Sequence, residues 1–255
     1  MPDGGSTGIG ASVKRKEDYR FLVGEGNYTD DINRPNQTYT YMLRSSSAHA
    51  KFSIDTSKAS KAKGVVKIFV GTDMEVGSIP CGWQVDSKDG TPMREPAHPP
   101  IAKDKVRYVG EIIAVIIAES LEDAKNAAEL VDVNYDDVPV IIDMQDALDN
   151  SKGLVHDEIK SNVCYDWELG DNEAVDKAIS EAAHITTLDI RNNRLIPNAM
   201  ETRSAIGDYE HATGQYTLYT TSQNPHVIRL LMGAFVLGLP EHKLRVIAPD
   251  VGGGF

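Results

Sequence analysis

Short apolar runs of period two and apolar stripes of helical period alternate along most of this chain. Tyr39–Arg44 and Val65–Val70 carry the β-branched and aromatic content of strands. Ile112–Ala118 is apolar at every position, which suits a strand covered on both faces. Ser120 then stands as a helix N-cap with Asp123 at N3, a weaker relative of the capping box. Leu121, Ala124, Ala127, Ala128 and Val131 give that helix a small-residue apolar face. Residues 131–135 return as a strand, completing a strand–helix–strand unit of α/β type, and Asp136-Asp137 reads as a solvated turn.

Further on, residues 172–183 predict a helix with Ala174, Val175, Ala178 and Ala182 on one side, and residues 184–190 predict a strand. A hairpin follows: 204–209, a turn at His211-Ala212-Thr213-Gly214, and 215–220. Residues 225–237 predict a helix that Pro225 opens, Gly238 stops and Pro240 cannot continue. Leu244–Ile247 is the last strand, running into Pro249-Asp250-Val251-Gly252-Gly253-Gly254-Phe255. Between these elements, residues 77–100 are rich in Gly, Pro and Asp and predict a long surface loop. The signals weaken around 141–170, so a domain boundary is expected near 145–150.

Composition narrows the function classes. The 255 residues carry 26 Lys and Arg against 38 Asp and Glu, a formal charge of −12. That balance argues against nucleic acid as a main partner, which requires a clustered basic face. The longest apolar run, Ile112–Ala118, is far short of the roughly 20 residues needed to cross a bilayer, so no membrane span is expected. Neither a basic n-region nor an apolar h-region opens the chain, and Cys81 and Cys164 stand far apart. A reduced, cytoplasmic setting is the expectation, with no disulfide framework and no CxxC metal site.

Candidate chemistry is sparse. Gly4, Gly8 and Gly10 have dinucleotide-loop spacing but no strand before them, so the physical basis for holding a pyrophosphate is missing. The seven histidines form no HxxxH or HxH pair, and no G-x-S-x-G elbow occurs. Gly252-Gly253-Gly254 differs, because it follows a strand. Consecutive glycines either form a flexible turn or let a ligand approach backbone N–H groups that act together as anion donors. Thr221-Ser222-Gln223-Asn224-Pro225-His226 lies between a strand and a helix start. Ser222 or Asn224 can serve as the cap there, or the amides can serve a ligand. In an α/β arrangement both loops lie at strand C-terminal ends, where ligands collect.

Six blocks in order carry a resemblance: Arg15 to Leu22 with Gly24, Gly26, Tyr28, Asp30 and Asp31; Arg44-Ser45 with Ala48-His49-Ala50; Val106 to Glu111; Asn193-Arg194 with Pro197, Ala199-Met200-Glu201 and Arg203; Thr221 to His226; and Leu237 to Pro240 with Val251 to Phe255. Together they resemble the large, molybdenum-binding subunit of the xanthine dehydrogenase and aldehyde oxidase family, nearest to the aerobic carbon monoxide dehydrogenase large-chain type. The resemblance implies an α/β (α+β) chain: a lead-in over 1–20, an α/β hammerhead domain over 21–145, and the start of a molybdopterin-binding domain over 146–255. It implies that Gln223 reaches the ligands of the molybdenum, and that Gly252, Gly253, Gly254 and Phe255 hold the pterin cofactor, expected in its cytosine dinucleotide form.

Large subunits of the family that the chain resembles are roughly three times as long and carry a C-terminal glutamate as general base. The resemblance therefore implies no catalytic residue in this chain and no turnover by residues 1–255 alone. It further implies that the glycine loop lacks packing partners, so that the region 244–255 is mobile or leaves apolar surface exposed, including Val246, Ile247 and Phe255. Expected partners are the remainder of the large subunit, a medium FAD subunit, a small [2Fe–2S] subunit and a small-molecule substrate. The substrate would be carbon monoxide, an aldehyde or an N-heterocycle, with water as the oxygen source. The alternative is a non-catalytic module for assembly or subunit association, using Arg15 to Leu22 and the loop at 77–100 as contacts.

Overall fold

A computed structural model describes residues 8–9, 11–76, 78 and 81–254. Tertiary contacts divide it into two compact units that do not follow chain order. One comprises 35–195 with 230–239; the other comprises 1–34, 196–229 and 240–255.

In the first unit, β1 (Tyr39–Arg44), β3 (Val65–Val70) and β5 (Ile112–Ala118) form an antiparallel sheet in the order β1-β5-β3. A second sheet, β4-β2-β6, joins β4 (Lys105–Val106), β2 (Ala50–Asp55) and β6 (Asp132–Asp137), also antiparallel. Strand β5 explains its own composition. Ala114, Ile116 and Ala118 point into one core, and Ile113 points into another with Ala50, Ala102 and Val106. Side chains alternate across a strand, so a strand between two cores is apolar on both faces.

Helix α2 (Leu121–Ala128) buries Ala124, Ala127 and Ala128 against the β1-β5-β3 core. Its start is capped as the sequence predicts. The Asp123 N–H donates to Ser120 Oγ at 3.0 Å, and that hydroxyl donates to Asp123 Oδ2 at 2.6 Å. Leu121 departs from the expected apolar face and is 43% exposed. The strand–helix–strand unit is also built differently from the expectation. β5 and β6 belong to separate sheets, and Asp136 and Asp137 lie in β6, paired with Lys51 and Ala50.

The loop at 77–100 is irregular where described, apart from one bridge between Asp86 and Pro92. It is held to the later chain by backbone bonds. The Lys88 N–H donates to Asp166 O at 2.7 Å, and the Arg94 N–H to Cys164 O at 2.9 Å. Helix α3 (Met144–Leu148) starts on Asp143, and α4 (Asn172–Ser180) starts on Asp171.

No residue of α4 is buried, and its apolar side faces solvent. The strand expected at 184–190 does not form. Residues 184–199 adopt no regular secondary structure and make no ladder bonds, and Ile185, Leu188, Ile190 and Leu195 are exposed. A strand exists only when a neighbouring strand takes its N–H and C=O groups. No such neighbour occurs among the described residues.

The second unit contains the sheet β7-β8-β9. Strands β7 (Ala205–Glu210) and β8 (Gln215–Thr220) form the expected hairpin, closed by Gly214 at φ +67°. Strand β9 (Leu244–Ile247) pairs parallel to β8, Tyr216 facing Leu244 and Tyr219 facing Ile247. The crossover starts with α5 (Pro225–Leu230), which continues as a turn of π-helix, Leu231–Val236. Gly238, at φ +60°, ends it where expected. The last strand is better packed than expected: Leu244 is buried, and Val246 and Ile247 are half-buried in the ladder.

Candidate cofactor site

Parallel pairing of β8 with β9 has a direct consequence. Both strands finish at the same sheet edge, so the loop at 221–224 and the loop at 248–254 emerge side by side. Strand β7 is antiparallel to β8, with Ala205 facing Thr220, so it enters from that same edge and brings residues 200–204 with it. Three segments far apart in sequence therefore converge at strand ends, the ordinary location of ligand sites in such sheets.

Hydrogen bonds join the three. Gln223 Nε2 donates to Gly254 O at 2.7 Å. The Thr221 hydroxyl donates to Glu201 Oε1 at 2.9 Å, and the Gly252 N–H donates to Glu201 Oε2. Asn224 resolves the choice of cap. The Val227 N–H donates to its Oδ1 at 3.3 Å, while the Ser222 hydroxyl oxygen accepts from the Asn224 N–H at 3.0 Å. Helix capping thus occupies Asn224 and leaves Gln223 to reach the glycine loop.

The corner before the glycines is fixed from the N-terminal segment. Helix α1 (Asp18–Leu22) supplies Arg20, whose guanidinium makes a two-pronged pair with the Asp250 carboxylate. The Asn27 N–H donates to Asp250 Oδ2 at 2.8 Å, and the Asp250 N–H returns a bond to Asn27 O at 3.1 Å. The Arg20 hydrogen bonds and then the Asn27 N–H lower the Asp250 pKa to about 2. The same pair raises Arg20 above its ordinary value. A cleft of about 450 Å³ opens beside this corner, lined by Tyr28, Asp30, Met200, Glu201, Thr202, Ser204 and Gly252.

Of the residues expected at the site, the fold brings Gln223 and Gly254 into contact, and Gly252 and Gly253 lie in the same loop. Gly252 is tied to Glu201 instead of being open to a ligand. Phe255 lies outside the described residues, as do Gly4 and Gly10. The blocks that carry the resemblance include Arg20 and Glu201, yet sequence reasoning placed neither them nor Asp250 at this site. Their signal is visible only once the strand order is known, because the Arg20–Asp250 pair spans 230 residues.

The residues present suit a large polar cofactor. Gly253 and Gly254 donate their N–H groups to no acceptor among the described residues, and Gln223 uses only its NH₂ on Gly254. That leaves two backbone donors and one amide oxygen for a ligand rich in polar edges. No group of three His, Cys, Asp or Glu able to hold a metal occurs among the described residues.

Comparison with known proteins supplies the family. Residues 23–139 match the family described as aldehyde oxidase and xanthine dehydrogenase, a/b hammerhead domain, and residues 155–255 match the molybdopterin cofactor-binding domain. The chain belongs to the aldehyde oxidase and xanthine dehydrogenase family. It is 34% identical over 261 residues to the carbon monoxide dehydrogenase large chain of Afipia carboxidovorans, covering 97% of this chain and 31% of that protein. It is likewise 34% identical to the nicotine 6-hydroxylase large subunit of Paenarthrobacter nicotinovorans, covering 97% of this chain and 30% of that one. The chain thus spans about a third of the length of these relatives.

Among solved structures, a Cu,Mo-CO dehydrogenase in its carbon monoxide reduced state aligns with a TM-score of 0.83 at 33% identity. That alignment covers 97% of this chain and 32% of that one. The fold of this family member is therefore a hammerhead domain followed by a molybdopterin-binding domain. No helix among the described residues is long and apolar enough to cross a membrane.

Proposed function

We propose that the chain is the N-terminal part of the molybdopterin-binding large subunit of a cytoplasmic molybdenum hydroxylase, and that it is inactive alone. The contact between Gln223 Nε2 and Gly254 O carries this reading. It joins the loops after β8 and β9 into one polar cradle, and the family match over 155–255 supports a pterin as the occupant. In this reading Gln223, Gly253, Gly254 and Phe255 hold the cofactor, taken to be the cytosine dinucleotide form, and Gly252 shapes their loop. The domain division falls near 145–150. The bound cofactor would supply two-electron oxidation of a small carbon substrate, with the oxygen coming from water.

The chain's own share is binding and orientation. Backbone N–H groups fixed in place stabilise negative oxygen without reorganising, and the Gln223 amide oxygen offers an acceptor beside them. The general base, the substrate contacts and the [2Fe–2S] and FAD groups belong to the remainder of the large subunit and to the companion small and medium subunits. Carbon monoxide, an aldehyde or an N-heterocycle remain the substrate classes in this proposal.

The test is co-purification. The chain is expressed with the products of neighbouring reading frames, and pterin and molybdenum are quantified per complex. Substrate-dependent dye reduction is then assayed with each of the three substrate classes. The expected result is about one pterin per complex, activity in the complex alone, and clear loss of bound pterin in Gln223→Ala. A stable wild-type complex free of pterin refutes the proposal in favour of an assembly module.

A further inference from the structure

Glu201 occupies an unusual position for a carboxylate. No Lys or Arg among the described residues pairs with it. Its two oxygens take donors from two different elements. Oε1 accepts the Thr221 hydroxyl at 2.9 Å, from the loop after β8, and Oε2 accepts the Gly252 N–H, from the loop after β9. Thr221 is itself placed by its neighbours, its N–H donating to Ser204 O at 3.3 Å and its hydroxyl lying 3.4 Å from that of Thr29. The approach is close enough that a Cβ on Gly252 would collide with the Glu201 Cβ.

We infer that Glu201 is a positioning residue for the glycine loop, bracing it by holding the Gly252 N–H and the Thr221 hydroxyl on one carboxylate. The brace decides which backbone donors remain available. Gly252 is consumed by protein, whereas Gly253 and Gly254 are left without an acceptor among the described residues. An ionised carboxylate is an acceptor at both oxygens and can serve two donors at once. An amide at this position has one acceptor oxygen and turns an NH₂ towards the second donor, so Glu201→Gln is a sharp probe despite its matching shape. That the braced loop faces a pterin rests on the function proposed above.

Hydrogen–deuterium exchange on the full chain tests the brace, and released pterin in the co-purified complex tests its link to the cofactor. In Glu201→Gln the segment 248–254 is expected to exchange about tenfold faster while β9 keeps its wild-type rate. Thr221→Val removes one donor only and is expected to raise the exchange of 248–254 less. Pterin content is expected to fall in Glu201→Gln. Unchanged exchange at 248–254 overturns the inference whatever the pterin content. Faster exchange with full pterin content upholds the brace but refutes the loop as cofactor holder, and so counts against the proposed function alone. If Glu201→Gln loses β9 protection as well, the Thr221→Val comparison decides: faster exchange at 248–254 with β9 intact supports the brace, and no change overturns it.

Discussion

Asp250 ties the beginning of the described chain to the corner that leads into the glycines, and its titration exposes that tie. Pairing with Arg20 and the Asn27 N–H lowers its folded pKa to about 2, below an ordinary aspartate. A depressed carboxylate contributes stability above its unfolded pKa and loses it as pH falls through the folded one. The contribution is therefore complete above about pH 4 and disappears between about pH 4 and 2. Asp250→Asn is expected to lower the thermal midpoint at pH 7, and the gap from wild type should close as the pH is taken to 2. A gap that stays constant over that range rules out the carboxylate as its source. At this scale the sequence revealed what is local. Gln223 stood out as an amide between a strand and a helix start, whereas the tie from Glu201 to the glycine loop did not, because its partner Gly252 is 51 residues away.

Elements were legible where a few consecutive residues decide them. β1, β3, β5, the hairpin and the Ser120 cap follow from alternation, turn chemistry and capping, and all occur as expected. Ser120→Ala is expected to lower stability by about 1 kcal/mol, read as a shift in denaturant midpoint with unchanged slope. Strand β2 was overlooked despite the alternation of Ala50, Phe52 and Ile54, which pack into the core. Pairing was the part that local pattern could not supply. The apolar run of β5 was compatible with a parallel sheet, yet its neighbours are antiparallel and β6 belongs to another sheet. The strand expected at 184–190 failed for the same reason, since alternation makes a segment willing to pair but does not provide the neighbour.

Across the whole molecule, the two compact units carry unequal burdens. The unit built on 35–195 contains both apolar core clusters, while the unit containing the site is joined across distant segments by hydrogen bonds and by the ion pairs Arg20–Asp250 and Arg34–Asp208. Partner binding should register in an exposed segment without regular structure. Residues 184–198 are exposed and lack ladder bonds, and Arg191 and Arg194 lie within them. Trypsin is expected to cut first at these two arginines in the chain alone, and protection is expected when the companion products are bound. Mass spectrometry of early digests checks this, and equal cleavage in both states contradicts a partner at that surface.

The same unpaired run has a consequence in concentrated solution. Free backbone groups flanked by Ile185, Leu188 and Ile190 form a template to which another copy can add, as exposed sheet edges do. A charge of −12 opposes that encounter at long range, and salt shortens the reach of the repulsion to about 10 Å at 0.1 M. Light scattering from the chain alone should therefore rise with ionic strength. Placing a lysine at Leu188 should suppress the rise.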